Sequence, residues 1–297
     1  MSILRKQTLR KLLEEEGISA RKSLGQHFLI SRQVLEEILK ASQLTKQDFV
    51  VEVGAGLGSL TLPLAQKAGS VLAIDKDPRM LAVLKELAQK EPNIEVITAD
   101  VLALPKSFFA EKAALWKALK RRHFNKSYKE PAYKVVANLP YYITSNVLRL
   151  FLENEERPSL MVVMVQKEVA EKIVAKPGEM SLLSLSVQLF GLPRIIKKIS
   201  KEAFFPKPKI DSAILSIRTY ESWPWAIDDV RGFFKLARLA FHAKRKQIAT
   251  NLREGLKLSR EEVAEALAKT HVRPEERAED LSLKDWEELF LVFRKRL

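Results

Sequence analysis

The chain has 297 residues, with 51 Lys and Arg against 37 Asp and Glu, a formal charge of +14 and no cysteine. That length buries a core in one large or two moderate domains, and the lack of thiols excludes disulfides, thiolate zinc sites, iron–sulfur clusters and cysteine nucleophiles. The clustered positive excess points to a polyanionic partner, nucleic acid above all, and no apolar run approaches the roughly eighteen residues of a membrane span.

Residues 1–20 read as a basic N-terminal helical extension carrying Arg5, Lys6, Arg10 and Lys11. The run Glu14, Glu15 and Glu16 and the missing apolar core argue against a targeting role, so a cytoplasmic protein without membrane attachment is expected. From 48 to 217, short apolar runs alternate with helical periods. Strands are expected at 49–53, 71–75, 94–97, 134–137, 160–165 and 213–217, with helices such as 59–68, 78–90, 143–153, 167–175 and 181–190 between them. This rhythm predicts an α/β fold with a mostly parallel sheet covered on both faces; a hairpin edge near 195–217 would make the sheet mixed.

The stretch 106–131 interrupts the rhythm and reads as a basic insertion, helical by composition over 109–122 and then a basic loop. Residues 220–229 read as a linker, with Pro224 between Trp223 and Trp225. Beyond it, 230–243, 259–268 and 283–294 have helical spacing, which predicts a small all-helical C-terminal domain. The expected division is therefore 1–20, 21–220 and 221–297. A helical wheel over 231–249 places Arg231, Lys235, Arg238, His242 and Arg245 on one face without an acid, with Lys244 and Lys246 beside them. Such a stripe suits phosphates, and these residues are the expected RNA contacts.

Two motifs carry chemistry. Glu52-Val-Gly54-Ala-Gly56-Leu-Gly58 follows an apolar strand and opens a helix. Glycines there admit positive φ and close approach of a ligand to the backbone. Asp75 closes the next strand about 20 residues after Gly54, where an acid accepts ribose hydroxyls. The spacing departs from the dinucleotide pattern G-x-G-x-x-G, and Asp100 after a third strand is placed to read an adenine, so S-adenosylmethionine fits better than a nicotinamide cofactor. The second motif is Asn138-Leu139-Pro140-Tyr141 at the end of the fourth strand. An adenine N6 amine attacks a methyl group only when its lone pair is aimed. The Asn138 amide oxygen and a carbonyl of Leu139 or Pro140 can accept its two N–H bonds. Pro140 stiffens the turn, and Tyr141 offers a flat face for an unstacked base. No strong general base is required; positioning and electrostatics suffice.

With these motifs, Ser23 to Leu29, Asn138 to Thr144, Met164 to Ala170, Ala203 to Ser212 and Ala240 to Leu252 occur in an order that resembles the small-subunit ribosomal RNA adenine dimethyltransferase family. The resemblance covers the chain from about Arg21 onward. It implies a Rossmann-like S-adenosyl-L-methionine methyltransferase domain, acting as a monomer on small-subunit rRNA or an immature small ribosomal subunit. The reaction would dimethylate N6 of two adjacent adenosines in a hairpin loop near the 3′ end. Carried over by position, the cofactor would touch His27, Leu29, Gly54, Asp75, Asp100 and Asn138, and Phe204 would sandwich the target adenine opposite Tyr141. Many relatives have Asn where this chain has His27, and the insertion is longer than the family connection.

Other readings stand beside this one. A large-subunit rRNA adenine methyltransferase of the macrolide-resistance type shares the chemistry, though its turn often has isoleucine at the position of Leu139. A ribosome-assembly factor would use the same surfaces chiefly for binding. A nicotinamide dehydrogenase lacks a proton-shuttling His or Lys–Tyr pair beside the glycine loop. His27, His123, His242 and His271 have no metal-ligand spacing, so no metal is expected.

Overall fold

The computed structural model describes Leu9 and residues 13–15, 26–89, 91–105, 107–121 and 133–297. The basic residues of the N-terminal extension and Arg122, His123, Lys126 and Lys129 of the insertion lie outside the described residues. Two compact units form, one from Met1–Ala170 with Leu192–Thr219 and one from Glu171–Gly191 with Tyr220–Leu297.

The strands are β1 (Phe28–Leu29), β2 (Phe49–Val53), β3 (Ser70–Asp75), β4 (Ile94–Thr98), β5 (Lys134–Asn138), β6 (Leu160–Gln166), β7 (Gly191–Ile199), β8 (Phe204–Phe205) and β9 (Ser212–Thr219). Seven make one sheet in the order β4-β3-β2-β5-β6-β9-β7, and β1 pairs with β8. The strands from β4 to β6 run parallel, whereas β9 is antiparallel to β6. The expected mixed α/β sheet is therefore present. Its central strands read as unbroken apolar runs because both faces are covered: β2 is buried throughout, and β6 in all but its last residue.

The helices of the first unit are α1 (Arg32–Ser42), α2 (Thr61–Lys67), α3 (Pro78–Ala88), α4 (Ser107–Arg121) and α5 (Thr144–Leu152), while α6 (Lys167–Ile173) spans the boundary of the units. Ser31 caps α1 by accepting from Val34 N, and the helix buries Val34, Leu35 and Ile38 in a core shared with Val162 and Met164 of β6. Asp77 caps α3 ahead of Pro78, whose missing N–H costs nothing in a first turn. The insertion helix α4 buries Phe109, Ala113 and Trp116 at helical spacing, with Trp116 stacked 5.9 Å from Phe49 and Phe109 4.7 Å from Phe151. This part of the insertion is thus built into the first unit.

The second unit holds α7 (Leu182–Gln188), α8 (Val230–Ala240), α9 (Ile248–Leu256), α10 (Arg260–Leu267) and α11 (Leu283–Phe293) around a fully buried Trp286. It takes in 171–191 because the Trp225 indole donates to Leu189 O at 2.8 Å and Gly178 N and Met180 N both donate to Glu279 O. The wheel drawn over 231–249 is corrected: α8 ends at Ala240 and α9 begins at Ile248. The Asn251 amide donates to Ala240 O at 2.7 Å and Ala243 O at 3.1 Å, ending α8 by satisfying its open carbonyls.

Candidate active site

A cavity opens at the carboxyl ends of β2, β3, β4 and β5, the usual ligand position in such sheets. The glycine loop forms one wall. Gly54 has φ +76°, and a Cβ there would meet Pro140 Cδ at 3.3 Å; Gly56 has φ +54° and faces Phe28 at 3.5 Å. Side chains at these positions would be strained, and one on Gly54 would fill the space between the loop and the Asn138–Tyr141 turn.

Asp75 fastens this wall. Its Oδ2 accepts from Gly56 N at 2.8 Å and its Oδ1 from Asp77 N at 2.9 Å. Burial raises its pKa, and these two amides hold the rise back. Glu52, 1% exposed, also lines the cavity, and its Oε2 has no hydrogen-bond partner among the described residues. Burial pushes its pKa up to about 8; the neighbouring Thr61 hydroxyl opposes the shift and the Asp75 carboxylate adds to it. Asp100 is exposed at the rim, accepting from Leu102 N at 3.0 Å.

Asn138 ends β5, paired with Met164 of β6. Its Nδ2 donates to His27 O at 3.0 Å, and a carbonyl can only accept, which fixes the amide's orientation. Oδ1 is left without a partner among the described residues. Leu139 is buried and donates its N–H to Met164 O at 3.2 Å, while Pro140 O accepts from Ile143 N at 3.1 Å. Of the two carbonyls considered for the amine, that of Pro140 is thus already engaged. The Tyr141 hydroxyl shares a hydrogen bond with Ser212 Oγ at 2.8 Å, and burial raises its pKa. The His27 ring stacks on Tyr141 and donates from Nδ1 to Pro206 O at 2.7 Å.

The cavity therefore brings together His27, Glu52, Gly54, Gly56, Asp75, Asp100, Asn138, Leu139, Pro140 and Tyr141. Two expected members lie elsewhere. Leu29 and Phe204 pair across β1 and β8, are 2% and 3% exposed, and sit in the apolar core. Successive strand side chains point to opposite sides, so Phe28 reaches the cavity and Leu29 does not. Phe204 thus does not line the cavity, and His27 is the ring stacked on Tyr141. Lys76 and Tyr142 were not anticipated. Lys76 Nζ lies 5.1 Å from the Tyr142 ring centroid at the rim; the Tyr142 hydroxyl, with the Asp100 and Asp75 charges, holds its pKa above the ordinary lysine value. The second aromatic of the Tyr141-Tyr142 pair was the available signal.

In the second unit, Arg231, Lys235 and Arg238 occupy one exposed face of α8, while Lys244, Arg245 and Lys246 lie in the exposed turn before α9. Lys246 pairs with Glu254 at 2.9 Å, and Lys235 donates to Leu297 O at 2.6 Å. Among the described residues no cluster of three or more His, Asp or Glu could hold a metal, and no helix is long and apolar enough to cross a membrane.

The cavity fits S-adenosylmethionine by its own chemistry. A buried carboxyl with one unpartnered oxygen, two further acids and a glycine cradle suit a ligand with a net positive charge and ribose hydroxyls. Residues 17–295 match the family model for ribosomal RNA adenine dimethylase. The chain is 41% identical over 285 residues to a ribosomal RNA small subunit methyltransferase A of Dehalococcoides mccartyi, covering 96% of this chain and 92% of that protein. Among solved structures it resembles the 23S rRNA methyltransferase ErmE (TM-score 0.66, 25% identity, 90% of this chain and 99% of that one). It also shares the fold of a dimethyladenosine transferase from Plasmodium falciparum (TM-score 0.72, 24% identity, 91% and 98%).

Proposed function

The chain belongs to the ribosomal RNA adenine dimethylase family, and from that premise we propose that it dimethylates N6 of two adjacent adenosines in a hairpin loop near the 3′ end of small-subunit rRNA. The observation that carries this reading is the orientation of Asn138: its amide N–H is spent on His27 O, so Oδ1 is the atom offered to the cavity beside the Tyr141 ring. An amide oxygen so fixed can accept one N–H of an adenine amine, and the Leu139 carbonyl is the candidate for the other. Holding both N–H groups aims the nitrogen lone pair along one direction.

S-adenosylmethionine, when bound, supplies a methyl group on a positively charged sulfur. Gly54 and Gly56 would let it approach the backbone, Asp75 and Asp100 would take its nucleoside hydroxyls and base, and its positive charge would favour loss of the proton that the buried Glu52 otherwise holds. Tyr141 gives the base an apolar face, and its tie to Ser212 keeps that face from rotating. The amine proton is not removed by a strong base in the cavity; it leaves to solvent after the nitrogen has been alkylated. The small-subunit assignment, rather than the large-subunit alternative, rests on the curated relatives at 32–41% identity over nearly the whole chain. The cation stripe of the second unit serves the RNA backbone, and the protein works as a cytoplasmic monomer on rRNA of the immature small subunit.

The test is nucleoside mass spectrometry of rRNA from cells lacking the protein, before and after incubation with purified enzyme and cofactor. Dimethyladenosine should be missing from the small subunit and restored by the enzyme. Loss from the large subunit instead would replace this reading with the alternative.

A further inference from the structure

A second cleft of the first unit lies away from the cavity, between the end of α1 and the edge strand β7. Leu160 opens β6 and pairs with Arg218 of β9, whereas Asn138 is level with Met164. The cleft is thus roughly 13 Å along the strands from the level of Asn138, toward the opposite end of the sheet. On β7 the alternation of side chains places Leu192, Arg194 and Ile196 on one exposed face, and the two aliphatic side chains are 51% and 44% exposed.

Three cations and one acid surround this apolar strip. Lys40, Arg194 and Arg218 line it; Lys40 and Arg194 form no ion pair among the described residues. Arg218 spends one N–H on Gln43 Oε1 at 3.0 Å and keeps the rest of its five donors. Glu37, the acid of the cleft, is already paired with Lys197 at 2.8 Å. A merely solvated face would not leave Leu192 and Ile196 bare beside three cations.

We propose that this cleft is a second docking surface for the RNA substrate, with backbone phosphates on Lys40, Arg194 and Arg218 and a sugar or unstacked base against Leu192 and Ile196. The proposal rests on the adenine-dimethylase reading. RNA fits better than an acidic protein segment because three cations outnumber the one acid, which Lys197 already holds, and so match a row of phosphates, and because the whole chain carries +14. Its distance from Asn138 means that it takes RNA flanking the target hairpin, so it adds affinity without touching the reacting base.

The experiment compares wild type with Arg194→Glu/Arg218→Glu on two RNAs: a short hairpin bearing the target adenosines, and a long protein-free small-subunit rRNA fragment. On the hairpin, kcat and KM should match wild type. On the long fragment kcat should hold, KM should rise about tenfold, and the log–log salt slope should flatten by about two. The Arg194→Lys/Arg218→Lys pair should restore most of the loss. An unchanged KM on the long fragment, or an equal rise on both RNAs, overturns the proposal. A loss seen only with immature subunits, and not with protein-free RNA, overturns it in favour of an acidic protein partner. Should wild type methylate neither RNA nor immature small subunits, the dimethylase reading itself fails, a result distinct from all of these.

Discussion

The imidazole of His27 lies 5.8 Å from the Tyr141 ring, centroid to centroid, with 29° between their planes. The same residue accepts from Asn138 Nδ2 through its backbone carbonyl and donates through Nδ1 to Pro206 O. His27 therefore joins the turn that would hold the target amine to the segment after β8. Replacing it with alanine removes the stack and the Pro206 bond but keeps the carbonyl. His27→Ala should cost about 1–2 kcal/mol of stability and lower kcat about tenfold by loosening Tyr141. Thermal melts and steady-state kinetics would check this; unchanged kcat would leave His27 a cofactor contact only.

Asn138→Ala should lower kcat by roughly a hundredfold or more, because the lost oxygen would act on the amine as it attacks. The variant also frees His27 O, a small local change. Calorimetry with S-adenosylhomocysteine should show binding that is retained or modestly weakened. Near-normal turnover would remove Asn138 from the mechanism.

Asp75 has two tasks, and Asp75→Ala should expose both. It deprives Gly56 N and Asp77 N of their acceptor, so the glycine loop loosens even without ligand. Charge-assisted contacts of this kind are worth about 1.5–3 kcal/mol, so S-adenosylhomocysteine should bind roughly ten- to a hundredfold more weakly. RNA affinity should be nearly unchanged. An unaltered dissociation constant for the nucleoside ligand would show that its ribose is held elsewhere.

Glu52 gives the protein a pH signature. Its pKa rises from 4.5 to about 8 because its carboxyl is fully buried. The native state thus holds a proton that the unfolded chain has released, and stability falls as pH rises from about 4.5 to about 8. Glu52→Gln keeps the shape and cannot ionise. Relative to the variant, wild type should lose melting temperature across that window and be the less stable of the two near pH 8. Melts of both proteins across the window, without ligand, decide; parallel curves would mean that Glu52 is charged in the fold.

Much of this was legible in the chain. Strands such as 49–53 and 160–165 are apolar along their whole length, which only burial on both faces explains, and the glycines and acids at their ends mark the cavity. Local pattern could not tell which of two adjacent residues faces it. Phe28 and Leu29 are equally apolar, and the pairing of β1 with β8 turns Phe28 to the cavity and Leu29 to the core. The end of α8 was hidden for another reason. Its cap is the side chain of Asn251, which lies beyond the break and reaches back to Ala240 O, so the periodicity continues past the point where the helix stops.

That break separates two groups of cations that a single wheel had merged. Arg231 and Arg238 sit on the exposed face of α8, and Lys244 and Arg245 in the turn that follows. None of the four forms an ion pair among the described residues, so each can meet a phosphate without first giving up a partner. Phosphate contacts position RNA and carry little sequence information. Arg231→Glu/Arg238→Glu and Lys244→Glu/Arg245→Glu should therefore each weaken binding to cognate and non-cognate RNA alike, and each should flatten the slope of log affinity against log salt by about two. Because helix and turn are separate elements, the two losses should add when the pairs are combined. Cofactor affinity should hold throughout, since the glycine cavity belongs to the other unit. Salt titrations on a small-subunit rRNA fragment provide the readout. If only the turn variant changes the slope, the face of α8 is a solvated surface and the RNA contact is confined to Lys244 and Arg245.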